Sequence, residues 1–134
     1  MPAAVEHIFH LAIPCRDLEE ARDYYVGVLG AREARRRDDR ITFDFFGHQL
    51  VCHLAPDHVE PEPHIYPRHF GVTFRRREHL ETVLKRVREA ECEILRDVSV
   101  RFPGERDRHL TFYLKDPSNN IIEFKYYNDP EMMY

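Results

Sequence analysis

The chain repeats one order of elements twice, and that repeat restricts its fold more than any other feature. The stretch "HIFHLAIP" (7–14) alternates, with Ile8, His10 and Ala12 on one face and Phe9, Leu11 and Ile13 on the other, as a strand does. Asp17 then opens "DLEEARDYYVGVLG", with Glu20 three residues on as a capping box and Gly30 as the stop. Leu18, Ala21, Tyr25, Val28 and Leu29 form its apolar stripe. After a charged loop, "AREARRRDDR", the run "ITFDFFGHQLVCHLA" reads as two strands joined by a tight turn near Gly47 and His48.

The same order then begins again. "HFGVTF" is a strand, and "RREHLETVLKRVREAE" a helix with Leu80, Val83, Leu84, Val87 and Ala90 as its stripe. "CEILRDVSVRF" is one strand, and "HLTFYLKD" pairs with "NIIEFKYY" across the turn "DPSNN". Between the halves lies "DHVEPEPHIYPR", a linker with prolines at 56, 61, 63 and 67 in and around it. At about twelve residues it does not demand separate domains. The expected fold is therefore α+β: a single domain over 1–134, built from two βαβββ modules at about 5–57 and about 66–128. A repeat of about sixty residues accounts for the length better than a single-sheet layout. Packed as pseudo-twofold mates, the modules form a cupped mixed sheet.

The repeat makes particular side chains interpretable. His10 and His69 occupy corresponding places, early in the first strand of each half. Glu123 sits in the last strand of the second half among Ile121, Ile122 and Phe124, where an unpaired buried charge costs several kcal/mol. The matching strand of the first half, "QLVCHLA", carries Gln49, Val51 and His53 on one side. Pseudo-twofold packing directs His10, His69 and Glu123, with His53 a further candidate, into one cup. Two imidazoles and a carboxylate suit a divalent metal with open coordination positions. Taken singly, each has an ordinary reading: a strand histidine in the core or at the surface, and a glutamate turned to water. Occurrence at matched positions favours the joint reading.

Composition narrows the classes. The net charge is −4, with charged residues at 33% and signs interleaved, so nothing in the electrostatics points to nucleic acid. No apolar run is long enough for a transmembrane helix, and "MPAAVEHIFH" lacks the basic start and apolar stretch of a signal peptide. Cys15, Cys52 and Cys92 form no CxxC pair and fit reduced thiols in a cytoplasm.

Three stretches in order resemble the vicinal oxygen chelate superfamily, which includes glyoxalase I, fosfomycin- and bleomycin-resistance proteins and extradiol dioxygenases. They are "HLAIPCRDLEEARDYYVGVLG", "HFGVTF" and "YLKDPSNNIIEF", and the similarity covers nearly the whole chain. The resemblance implies a metal held by His10, His69 and Glu123. It also implies a substrate that offers two vicinal oxygens. Relatives like glyoxalase I add a glutamate from the fourth strand, but no acidic residue occurs from Phe45 to Pro56. Extradiol dioxygenases use only His, His and Glu, and share a Tyr before an Asp-Pro turn ten residues ahead of the ligand Glu. Tyr113, Asp116-Pro117 and Glu123 follow that pattern, with Asn119 where a glycine is expected and no histidine at the expected upstream place.

The resemblance therefore implies an oxidoreductase: a ring-cleaving dioxygenase using Fe(II), with Mn(II), Ni(II) or Zn(II) as other candidates. Tyr113 would donate a hydrogen bond to substrate, and His53 would act as general acid or base. Two other classes stand beside it. One is a metal-dependent isomerase, epimerase or lyase; the other is a metal-free protein that sequesters its ligand. Arg101 is a candidate partner for an anionic substrate group, or an ordinary exposed arginine. The resemblance also implies a homodimer, with the cup closed within one chain or between two.

Overall fold

The computed structural model describes residues 6–134. The expected start of the first module at residue 5, and the reading of the stretch 1–5, lie outside the described residues. The chain forms two compact units, Met1–Val59 and Glu60–Tyr134. Their boundary falls inside the proline-rich stretch read as a linker.

The first unit holds β1 (His10–Cys15), α1 (Leu18–Arg22) continuing as a π-helical stretch (Asp23–Val28), β2 (Arg32–Arg37), β3 (Arg40–Phe45) and β4 (His48–Leu54). The second holds β5 (Phe70–Phe74), α2 (Arg77–Glu89), β6 (Ile94–Arg101), β7 (His109–Lys115) and β8 (Ile121–Tyr127). Each unit is one four-stranded mixed sheet, in the order β1-β4-β3-β2 and β5-β8-β7-β6. In both, the outer strand before the helix pairs in parallel with the last strand, and the other pairings are antiparallel. The fold is α+β, and the βαβββ order read from the sequence occurs twice.

Local chemistry explains the elements. The Asp17 carboxylate accepts the Glu20 amide at 2.8 Å and caps α1, while the Glu20 carboxylate takes the Arg16 guanidinium at 2.7 Å. The helix then widens, with the Leu29 amide bonding the Tyr24 carbonyl at 3.0 Å, and both Tyr24 and Tyr25 are buried. Tyr25 stacks on Phe43 at 5.5 Å. Phe46 and Gly47, at φ 52° and 87°, make the two-residue turn between β3 and β4.

Alternation divides each sheet into two faces. In the first unit Ile13, Cys15, Ile41, Phe43, Leu50 and Cys52 are buried on the face shared with Ala21, Tyr25 and Leu29. In the second, Phe74, Phe112, Leu114, Ile122 and Phe124 are buried with Leu80, Val83 and Val87 of α2. Each fully buried side chain of this size contributes about 1.5–3 kcal/mol.

One sequence expectation needs correcting. The charged loop "AREARRRDDR" contains strand β2, which pairs with β3 from Arg32↔Asp44 to Arg37↔Arg40. It is an edge strand, wet on both faces, with only Glu33 half-buried. An edge strand needs only a backbone partner, and charges on it discourage pairing with other chains. Arg36 pairs there with Glu19 and Glu33.

Candidate functional site

Ile122 and Phe124 bury against α2, so alternation sends Glu123 to the opposite face of β8. That face is not open water, because Glu123 is only 7% exposed. Its Oε2 accepts the Thr111 hydroxyl of β7 at 2.6 Å, and its Oε1 lies 3.2 Å from His69 Nε2. Tyr113 is its partner across β7, and Gly71 its partner in β5. A Cβ at position 71 would fall 1.6 Å from the Glu123 carbonyl oxygen, so only glycine allows β5 to approach this closely.

His69 stands one residue before β5. Its Nδ1 lies 2.7 Å from the Ile65 carbonyl oxygen. A carbonyl only accepts, so Nδ1 carries a proton, and in a neutral ring Nε2 then presents its lone pair to Glu123 Oε1. A lone pair facing a carboxylate oxygen repels it, and the contact calls for a proton or a cation between Nε2 and Oε1. A backbone carbonyl that fixes the tautomer of a histidine is the usual support of a metal-binding imidazole.

Two tyrosines flank the pair. The ring of Tyr113 lies edge-on to His69 at 5.5 Å, and that of Tyr66 at 5.8 Å. Tyr113 is 2% exposed, and burial first, then hydrogen bonding with Tyr66 and Glu123, pushes its phenol well above the ordinary value. Tyr66 goes the other way, because the Arg101 guanidinium, with Nη1 3.5 Å from its hydroxyl, holds its phenol below the usual range. Arg96 lies over the Tyr113 ring at 5.6 Å. Beside them an open depression of about 410 Å³ is lined by Pro63, His64, Ile65, Tyr66, Leu95 and Arg96.

The second unit thus brings together three of the expected residues: His69, Glu123 and Tyr113. His10 and His53 belong to the first. His10 opens β1 and is exposed, with Gln49 as its register partner. His53, half-buried in β4, stands beside Pro14 and Arg40, four residues along from Gln49 on the same face. Among the described residues, no three His, Cys, Asp or Glu side chains gather as an ion-holding group. The pair His69 and Glu123 does fit a divalent cation as two of its ligands. The carboxylate is buried and hydrogen-bonded at one oxygen, and its other oxygen and a lone pair converge.

The family model for the Glyoxalase/Bleomycin resistance protein/Dioxygenase superfamily matches residues 7–124. The chain belongs to this superfamily. A superfamily structure from Alicyclobacillus acidocaldarius, a glyoxalase/bleomycin resistance protein/dioxygenase, is 53% identical with a TM-score of 0.92, over 96% of this chain and 97% of that one. The fosfomycin resistance protein FosX of Listeria monocytogenes, 16% identical with a TM-score of 0.71 over 99% of this chain and 100% of its own, shares the fold. The glyoxalase domain-containing protein RDO1 of Mycosarcoma maydis is 24% identical over 127 residues, 94% of this chain and 71% of its own.

Within this superfamily member, sequence reasoning missed Thr111, Gly71 and Tyr66. The first two were accessible: Thr111 shares the alternation of Tyr113, and Gly71 interrupts a strand without a turn. Tyr66 lies in a proline-rich stretch with no periodicity to place it.

Proposed function

We propose that this chain is a divalent-metal-dependent enzyme acting on a small molecule with two vicinal oxygens, by extradiol-type cleavage of a catechol-like ring. The observation that carries this reading is the 3.2 Å approach of the His69 lone pair to the buried Glu123 carboxylate, with Ile65 and Thr111 holding both groups. His10, the repeat mate of His69, is proposed as the third ligand on the strength of its register position. By the same register Val51 stands where Glu123 stands, which favours the His-His-Glu set over one with a second carboxylate. Fe(II) held there, or Mn(II), would supply Lewis acidity toward the substrate oxygens and a redox centre for dioxygen, and Ni(II) or Zn(II) would supply the Lewis acidity alone.

The chain's own residues have distinct parts. Thr111 keeps Glu123 Oε2 occupied, so Oε1 faces the cation. Tyr113, held neutral by its surroundings, donates a hydrogen bond to a substrate oxygen as charge develops there. His53 moves a proton as general acid or base. The same reading takes the chain to be a cytoplasmic homodimer with both units in one domain.

The test is direct. Anaerobically reconstituted Fe(II) protein should consume oxygen with a member of a catechol panel and give a yellow ring-opened product. Turnover of a non-oxidative substrate with Zn(II) or Ni(II), and no oxygen uptake across the panel, would assign the isomerase or lyase chemistry instead. The ligand set is tested apart from activity by metal analysis. His10→Ala, His69→Ala and Glu123→Ala should each abolish tight binding, and full occupancy in Glu123→Ala would overturn the set.

A further inference from the structure

We infer that the substrate of this site carries an anionic group, a carboxylate on or beside the ring, anchored by Arg101 together with Tyr66 and Arg96. This rests on the vicinal-oxygen reading of the same site and names the part of the substrate that reading leaves open. Charge is the first ground. The cluster holds one carboxylate, Glu123, already engaged by Thr111 and His69, and two guanidinium groups, Arg96 and Arg101. Among the described residues neither guanidinium has a carboxylate within ion-pair distance, whereas Arg88 takes Asp97 and Arg106 takes Asp129 and Glu131 in the same unit. The walls are therefore cationic before any metal is added.

Geometry is the second ground. Arg101 makes one long hydrogen bond, 3.5 Å to the Tyr66 hydroxyl, and lies over the Phe102 ring at 5.2 Å, which leaves most of its planar fork of donors for a bidentate partner. Tyr66 is 59% exposed and meets both Arg101 and the His69 ring, so it connects the guanidinium to the proposed metal pair. It also lines the depression with Arg96, Ile65 and Leu95. Pro63, Ile65, Leu95 and the Tyr66 ring give the depression an apolar and aromatic side, and Arg96 and His64 a polar one, with Arg101 joined to it through Tyr66; this fits one aromatic ring with one acid group, and about 410 Å³ is ample for it.

The experiment measures binding, not turnover. Protein loaded with Zn(II) is titrated calorimetrically with 3,4-dihydroxybenzoate, its neutral counterpart 4-methylcatechol, and benzoate, which has no vicinal oxygens. The wild type should prefer the dihydroxy acid over methylcatechol, and Arg101→Gln should weaken the acid by about tenfold to a hundredfold while sparing methylcatechol. Arg101→Lys, which keeps the charge without the fork, should fall between. Benzoate should bind weakly and lose that binding in Arg101→Gln. If neither catechol binds but benzoate retains Arg101-dependent binding, the vicinal-oxygen reading fails and the anion anchor stands. Equal affinity for acid and neutral probes, a preference that survives Arg101→Gln, or no Arg101-dependent binding by either acid overturns the inference.

Discussion

Replacing Gly71 by alanine should damage the protein far more than its exposed position suggests. The added Cβ would lie 1.6 Å from the carbonyl oxygen of Glu123, 2.6 Å from its carbonyl carbon and 2.9 Å from its nitrogen. All three are backbone atoms of β8, so no side chain can rotate away. To reach an ordinary contact the strands must part by about 2 Å. The parallel pairing of β5 with β8 has five register pairs, and the clash sits at the second. Losing two or three ladder hydrogen bonds at about 1 kcal/mol each costs about 2–3 kcal/mol, a large part of an ordinary stability of about 5–15 kcal/mol. With a urea slope of about 2 kcal/mol per molar, the unfolding midpoint should fall by about 1–1.5 M.

The same shift carries Glu123 with it, since β8 must move at that residue. Affinity for a divalent ion should drop about tenfold or more, although no proposed ligand is replaced. Circular dichroism through a urea series measures the first effect and metal titration under native conditions the second. Gly27→Ala serves as the control, because nothing lies within 4 Å of its added Cβ, and there the midpoint should hold or rise. A Gly71→Ala protein that unfolds within about 0.3 M of wild type would refute the close approach of β5 to β8. Normal stability with undiminished metal affinity would refute the link between strand register and site.

Thr111→Val removes the 2.6 Å donor to Glu123 and leaves a buried carboxylate oxygen unpaired, at about 1–3 kcal/mol of stability. Urea unfolding of the metal-free protein checks this, and an unchanged midpoint would dismiss the hydrogen bond as a support. In a phenolate absorbance titration of the metal-free protein, Tyr66 should ionise early and Tyr113 late, because Arg101 lowers the first and burial raises the second. The raised value of Tyr113 stabilises the fold below the ordinary phenol range, and that contribution is lost as pH rises through the folded value; the lowered value of Tyr66 has the opposite sign. Tyr66→Phe should delete an early step and Tyr113→Phe a late one, and the reverse order would sink the assignment. His53→Ala should lower turnover while sparing metal binding, and metal loss as deep as in His10→Ala would make it a ligand instead.

Where one face is apolar and the other is not, the sequence was legible. β3, β4, β7 and β8 begin and end within a residue or two of their alternating stretches, β1 begins three residues into its own, and both helices follow their stripes. β2 was hidden because both its faces are wet, so its charges carry no period. The π-helical widening that turns Tyr24 and Tyr25 inward together was hidden too, because it changes the period at the helix end. At the site, Glu123 was visible as a carboxylate in an apolar strand, and His69 as a repeat mate of His10. What makes the pair chemically specific was not visible. The Ile65 carbonyl that fixes the His69 tautomer and the Tyr66 ring that meets it both lie in the proline-rich stretch, where position follows from the path of a loop.

Comparing the two units by register shows where the halves diverged. Aligning His10 with His69 places Ala12 where Gly71 stands, Val51 where Glu123 stands, Thr42 where Tyr113 stands and His53 where Lys125 stands. The glycine and the carboxylate therefore occur together in one unit, and neither occurs at the matched place in the other. This is coherent physically. A carboxylate buried to 7% exposure needs neighbours brought close enough to satisfy it, and a strand partner without a side chain permits that approach. Val51 has no polar group to satisfy, so Ala12 beside it costs nothing. Of the residues compared, only the histidine is present at the matched place in both halves, and the hydrogen-bonded carboxylate and its close strand partner belong to the second alone.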